Sequence, residues 1–261
     1  MPRRSLPRRL GHGEEATLVE HLGELRTRLL ISLGSIAVFF PFTFAFHERL
    51  VEWLTVPLPD DKQLVTFGVT EPFTTSVKVA AFAALALALP VVLYQLWSFL
   101  APALEENTQR VVSVFAIGAT VLFAAGVAFA YFVVLPKAIG FLTEFDSELY
   151  DIQVRASYYF SFVTLALFVM GLVFELPVFI LALVRLRILT VAQLRKNRRM
   201  AWFIGILVAV AMPTVDAVSL FFEVIPIILL FEASIWIAAY MERRWERAEL
   251  IAEAADSGAS R

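Results

Sequence analysis

Carboxylates carry most of the chemistry open to this sequence, and four placements stand out. Glu175 sits alone in "MGLVFELPVFI" (170–180), with uncharged runs on both sides. If that run crosses a membrane, the carboxyl lies near mid-depth, where a charge costs roughly 2.5 to 3.5 kcal/mol for the worst residue types. A neutral carboxyl is far cheaper there than a charged one. Two roles fit: a protonated group satisfied by a neighbouring helix or by the Val173 carbonyl that Pro177 leaves free, or a polar contact that opens onto a concave face. Glu24 and Arg28 are four apart in "HLGELRTRLL", a spacing that on a helix surface gives an ion pair worth a few tenths of a kcal/mol. Glu105 and Glu106 follow "APAL", and Asp216 and Glu223 bracket the start of the last apolar segment.

Other chemistries are absent from the residues. His12, His21 and His47 all fall outside the apolar segments, so an intramembrane serine nucleophile lacks a base beside it. There is no cysteine, no phosphate-cradling G-x-x-x-x-G-K-[ST] loop and no metal-ligand spacing. No enzyme activity, cofactor or metal is expected. The formal charge of −2 offers no basic excess to meet nucleic-acid phosphates. The remaining classes are a polypeptide receptor or channel, a proton-coupled solute transporter using Glu175, and a scaffold for other membrane subunits.

The elements that must position these carboxylates are membrane helices. Hydrophobic residues make up 59% of the chain and charged ones only 18%, against about 25% in soluble domains. Mean hydropathy is +0.75. The expected fold is all-α and polytopic, with six apolar segments at about 29–46, 77–100, 111–136, 157–184, 200–213 and 217–240. Residues 1–15 read as a mobile basic tail, 16–242 as the six-helix unit and 243–261 as a C-terminal tail. Thr17 with Glu20 has the capping-box spacing, so a helix is expected to begin there. Pro90, Pro177 and Pro226 occur in similar pieces of helices two, four and six and are expected to kink each one. Arginines and lysines crowd the N-terminal arm, the 185–199 connection and the C-terminal tail, which puts both termini in the cytoplasm. Helices five and six read as short. Residues 200–213 span only about 21 Å of a core about 30 Å thick, which with Glu175 and Glu223 points to a concave, partly wet bundle.

Seven motifs occur in order over residues 15 to 240: "HLGELRTRL" (21–29), "EPF" (71–73), "YQLWSFLAPAL" (94–104), "FAYFVVLP" (129–136), "GLVFELPV" (171–178), "PTVDAVS" (213–219) and "LLFE" (229–232). Together they resemble the TatC family, the signal-binding core of the twin-arginine protein translocase. The resemblance implies a multi-pass protein of a bacterial or archaeal cytoplasmic membrane. It implies a multimeric complex with the single-span TatA and TatB subunits, exporting folded precursors on the proton motive force.

The resemblance also implies roles for single residues. Glu24 and Phe99 match positions of the family's signal-recognition patch. Where the family carries a further acidic residue this chain has Thr108, and Glu105 and Glu106, about one turn away, are the candidates to replace it. Met212 stands where the family usually has threonine. Glu175 matches an intramembrane glutamate and Asp216 an aspartate at the helix-five turn, while Glu71, Pro72, Phe73 and Pro177 belong to family motifs. The chemistry is consistent with this. Two arginines on a signal peptide need carboxylates that accept two-pronged hydrogen bonds, and an aromatic such as Phe99 can pack on a guanidinium face.

Overall fold

The structure is a computed structural model that describes residues 18–100, 108–150, 152–211 and 217–259. The helices are α1 (Leu18–Ala45), α2 (His47–Thr55), α3 (Glu71–Leu100), α4 (Thr108–Phe129), α5 (Leu135–Glu144), α6 (Ala156–Phe174), α7 (Leu176–Arg185), α8 (Val191–Lys196), α9 (Arg198–Val210) and α10 (Ala217–Ala259). Two short strands, β1 (Leu64–Val65) and β2 (Val154–Arg155), pair in parallel. Five stretches among the described residues are long and apolar enough to cross a membrane: Leu22–Ala45, Glu71–Phe99, Val112–Glu144, Ala156–Arg185 and Val218–Arg244.

Helix α9, over the fifth expected apolar segment, is short for a membrane span, with 13 residues and a length of about 20 Å. The expectation that helix six is short as well is overturned. Helix α10 runs for 43 residues, about 64 Å. Its apolar residues end near 240, but the Glu-, Arg- and Ala-rich stretch beyond them favours the helix, so the hydrogen-bond ladder continues.

Helix α6 is the centre of the packing. Tyr159, Phe160, Val163, Ala166, Met170 and Val173 are all buried along it. Its seam with α4 depends on two glycines. A Cβ on Gly126 would lie 2.7 Å from the Met170 carbonyl oxygen, and one on Gly171 would run into the Phe123 ring. Small residues let membrane helices approach this closely, and with lipid outside, contact of this kind holds them together. Leucines, valines and phenylalanines elsewhere on α1, α4 and α9 face outward, as lipid-facing residues do.

Of the three prolines expected to kink their helices, only Pro177 coincides with a break. Helix α6 ends at Phe174, Glu175 takes φ −73° and ψ −15°, and α7 begins at Leu176. The Glu175 N–H turns back to the Leu172 carbonyl at 3.1 Å, a tightened turn ahead of a residue that has no N–H to give. Helices α3 and α10 run through Pro90 and Pro226 as unbroken elements. A π-helical turn at Ala130–Val134 joins α4 to α5, with Pro136 just beyond it.

Candidate functional site

Helices α1 and α3 are antiparallel partners in a constant register. Thr43 Oγ1 donates to the Ala80 carbonyl at 2.8 Å, and fifteen residues away on both helices Arg28 Nη1 lies 3.4 Å from Gln95 Oε1. One turn further toward the same end, this register sets Glu24 level with Phe99. Two residues from separate motifs thus lie at one depth, at the end of the bundle where the basic connections gather.

Glu24 is engaged there. Arg28 donates to its Oε1 through Nε at 3.0 Å and also through Nη2. The side chains are 30% and 19% exposed, so this pair sits at a surface. Beneath Phe99, Trp97 is fully buried against Phe115 and Phe179, with ring centroids 5.0 and 5.8 Å apart. Its indole N–H has no hydrogen-bond partner among the described residues. Glu105, Glu106 and Asp216 lie outside the described residues, as do Thr17, Met212 and the side chains of Glu20 and Thr108.

Glu175 behaves differently from the expectation that it opens onto a concave face. Its side chain, held at the α6–α7 break, is only 1% exposed. Neither carboxyl oxygen has a partner among the described residues, so the Val173 carbonyl does not satisfy it. Glu223 is also fully buried, on α10, the helix that packs along α7. Phe174 and Phe222, the residues just before these glutamates, line an apolar cavity of about 420 Å³ with Phe129, Val133, Pro226 and Leu230. The hollow is lined by apolar side chains, and neither Glu175 nor Glu223 is among them.

At the opposite end the polar groups are knotted together. Glu71 opens α3 with Pro72 behind it, where a proline's missing N–H costs nothing. Its carboxylate accepts from Arg155 Nε at 2.9 Å, from the Ser157 N–H at 3.2 Å and from the Phe67 N–H at 3.0 Å. Arg155 is flanked by the Phe67 and Tyr158 rings at 5.7 and 5.2 Å, and the Glu71 carboxylate beside it raises its pKa above the usual arginine value. Phe73 is exposed, with its ring edge-on to Phe44. Nearby, Tyr131 stacks on Trp53 at 4.1 Å and donates to the Trp53 carbonyl at 2.7 Å, while Tyr159 donates to Leu54 at 2.9 Å. Sequence motifs marked Glu71 but gave no sign of its partners.

Helix α9 is clamped to α10 near the basic end. Arg198 Nη2 lies 3.1 Å from Glu232 Oε2, and Trp202 Nε1 donates to Glu232 Oε1 at 3.3 Å. Gly205 lets the helices close, since a Cβ there would meet Ile227 Cγ2 at 2.7 Å. Phe203, Ile206, Leu207 and Val210 remain exposed.

A family model described as "Sec-independent protein translocase protein (TatC)" matches residues 20–226. The chain is 33% identical to the Bacillus subtilis (strain 168) Sec-independent protein translocase protein TatCd over 241 residues, covering 92% of this chain and 99% of that one. It is 34% identical to TatC of Halothiobacillus neapolitanus over 249 residues, covering 94% of this chain and 68% of that one. Two crystal structures of the twin arginine translocase receptor TatC, one of them in DDM, superpose with TM-scores of 0.75 and 0.76 at 31% identity. They cover 84% of this chain and 98% and 99% of theirs.

Proposed function

This chain belongs to the TatC family, and we propose that it is the signal-recognising core of a Sec-independent protein translocase in the bacterial cytoplasmic membrane. In this reading, Glu24 receives a guanidinium of a twin-arginine signal peptide at the cytoplasmic surface. Phe99 packs beside it, and Glu105 or Glu106 takes the second guanidinium. Both termini are cytoplasmic, and α9 counts as the fifth of six spans. TatA and TatB are the single-span partners, and the proton motive force drives export.

The observation that carries the reading is the α1–α3 register, with Glu24 and Phe99 at one depth on the basic end. A surface carboxylate beside an aromatic is what a planar guanidinium needs for a forked hydrogen bond and a face to pack on. Because arginine's fork matches a carboxylate better than lysine's point charge, a lysine pair should bind less well. Binding of a fluorescent twin-arginine peptide to the full chain in lipid nanodiscs tests it. Glu24→Ala should abolish the signal while the protein stays folded; unchanged affinity would sink the assignment.

The exposed apolar strip of α9 supports docking of a single-span partner in the membrane. The chain has no cysteine, so single cysteines at Phe203, Ile206, Leu207 and Val210 report contacts cleanly. Failure of all four to crosslink to TatA or TatB in membranes moves the partner to another face. The solute-transporter alternative is not favoured, because the cavity beside Glu175 is apolar and offers a polar solute nothing to bind.

A further inference from the structure

We propose that Arg28 is an internal competitor for the carboxylate that receives the signal's arginine, and that Gln95 takes Arg28 when the signal displaces it. The inference rests on the reading of Glu24 given above. Arg28 places Nε and Nη2 together on Glu24 Oε1. A visiting guanidinium would make the same kind of two-donor contact, so the site is already filled by the chain's own side chain. The third nitrogen, Nη1, lies 3.4 Å from Gln95 Oε1, at the long edge of hydrogen bonding. That contact is incomplete while Arg28 leans on Glu24, and it can shorten once Arg28 lets go.

The exposures make the exchange cheap. Glu24 and Arg28 are 30% and 19% exposed, so neither charge is stranded in a dry interior during the swap. Surface pairs of this spacing shift an equilibrium by only about twofold, too little to lock the site against a ligand with further contacts. A lone arginine on a ligand, however, must first displace Arg28 and so realises only part of the contact's strength at Glu24. The rest of the affinity comes from what the ligand brings beyond it: a second guanidinium, or apolar residues against Phe99. The internal pair therefore sets a threshold that a single basic residue does not pass.

Simple competition has a quantitative signature. Removing Arg28 should strengthen every ligand of Glu24 by one common factor, because the cost of displacement is the same for all of them. A residue that merely positions Glu24, or that touches the peptide, would weaken binding or change the ratio between ligands.

The experiment titrates the full chain in lipid nanodiscs with two synthetic signal peptides, one carrying an arginine pair and one a lysine pair. Arg28→Gln should tighten both by a shared factor of about two, the scale of one exposed ion pair a helical turn apart. Gln95→Ala leaves the Glu24 pair in place but removes the receiving seat, so it should weaken both peptides by about two- to threefold. Unchanged or weakened binding in Arg28→Gln overturns the inference, as does a gain confined to one peptide. A Gln95→Ala protein that binds like the parent removes Gln95 from the exchange. Glu24→Gln separates the two levels. If it binds like the parent, the reading of Glu24 falls and takes this inference with it; if it loses binding while Arg28→Gln gains nothing, only this inference falls.

Discussion

Where α3 begins, one carboxylate gathers three donors from three segments; where α3 ends, Gln95 makes one long contact to a neighbouring helix. The first end closes on itself. Glu71 is buried, Arg155 is held between two rings, and tyrosine hydroxyls pin the carbonyls of α2 to α6 and the π-helical turn. At the second end Glu24 is paired, among the described residues, only with a residue one turn away, and both side chains meet solvent. A fixed end and an exchangeable end serve different purposes. Carboxylates whose partners are far apart in sequence hold shape, whereas a carboxylate with a local, exposed partner can change partners without disturbing the fold.

Substitutions sharpen or break that contrast. The largest loss of stability should come from Glu71→Ala, which leaves Arg155 and two backbone N–H groups without their acceptor. Thermal unfolding in detergent should start markedly earlier, and limited proteolysis should cut between residues 60 and 70. An unaltered melting curve would remove the idea of a fixed end. Next comes Gly126→Ala, because its new Cβ meets a backbone carbonyl that has nowhere to move. A loss of about 1–3 kcal/mol in a denaturant titration is the expected size of such overpacking.

Glu24→Gln should differ in kind. It weakens peptide binding by tenfold or more, on the scale of a charge-assisted bidentate contact, yet shifts stability by no more than about 0.5 kcal/mol. A large stability loss there would show that the basic end is fixed too. Glu175→Leu tests the middle of the molecule. Its carboxyl lacks partners among the described residues, so an apolar replacement should stabilise the fold, or leave it unchanged, in the same titration. If Glu175 is a polar docking contact, export falls in the Leu variant and persists in Glu175→Gln. At the fixed end the smallest loss of stability belongs to Tyr131→Phe, which deletes the bond to Trp53 but keeps the ring stack, for about 0.5–1.5 kcal/mol.

How legible these features are in the sequence follows from their range. Membrane class and helical elements come from runs of apolar residues, a local signal. Glu24 and Phe99 could be singled out because each sits in a motif, and a motif is also local. The partners could not. Glu71 meets Arg155 across 84 residues and Arg28 meets Gln95 across 67, and no periodicity in one chain encodes such a pairing. The length of α10 escapes the sequence for another reason. Hydropathy ends a segment where charges begin, while the backbone ladder answers to helix propensity and carries on. Glu175 stands out in the sequence as an isolated carboxyl, but only packing decides whether it is open or enclosed.

Helix α1 has its one extensive contact, among the described residues, with α3. This has a consequence in time. The chain from Ala45 to Leu100 must still be made before that partner is complete, which at about 5 to 20 residues per second takes roughly 3 to 11 s. Over that interval α1 waits in the bilayer as a solitary helix. Its outward Leu22, Leu29, Leu33, Val38 and Phe42 suit it to lipid, and its Glu24 and Arg28 neutralise each other within one turn. A helix made ahead of its main partner is thus suited to being alone.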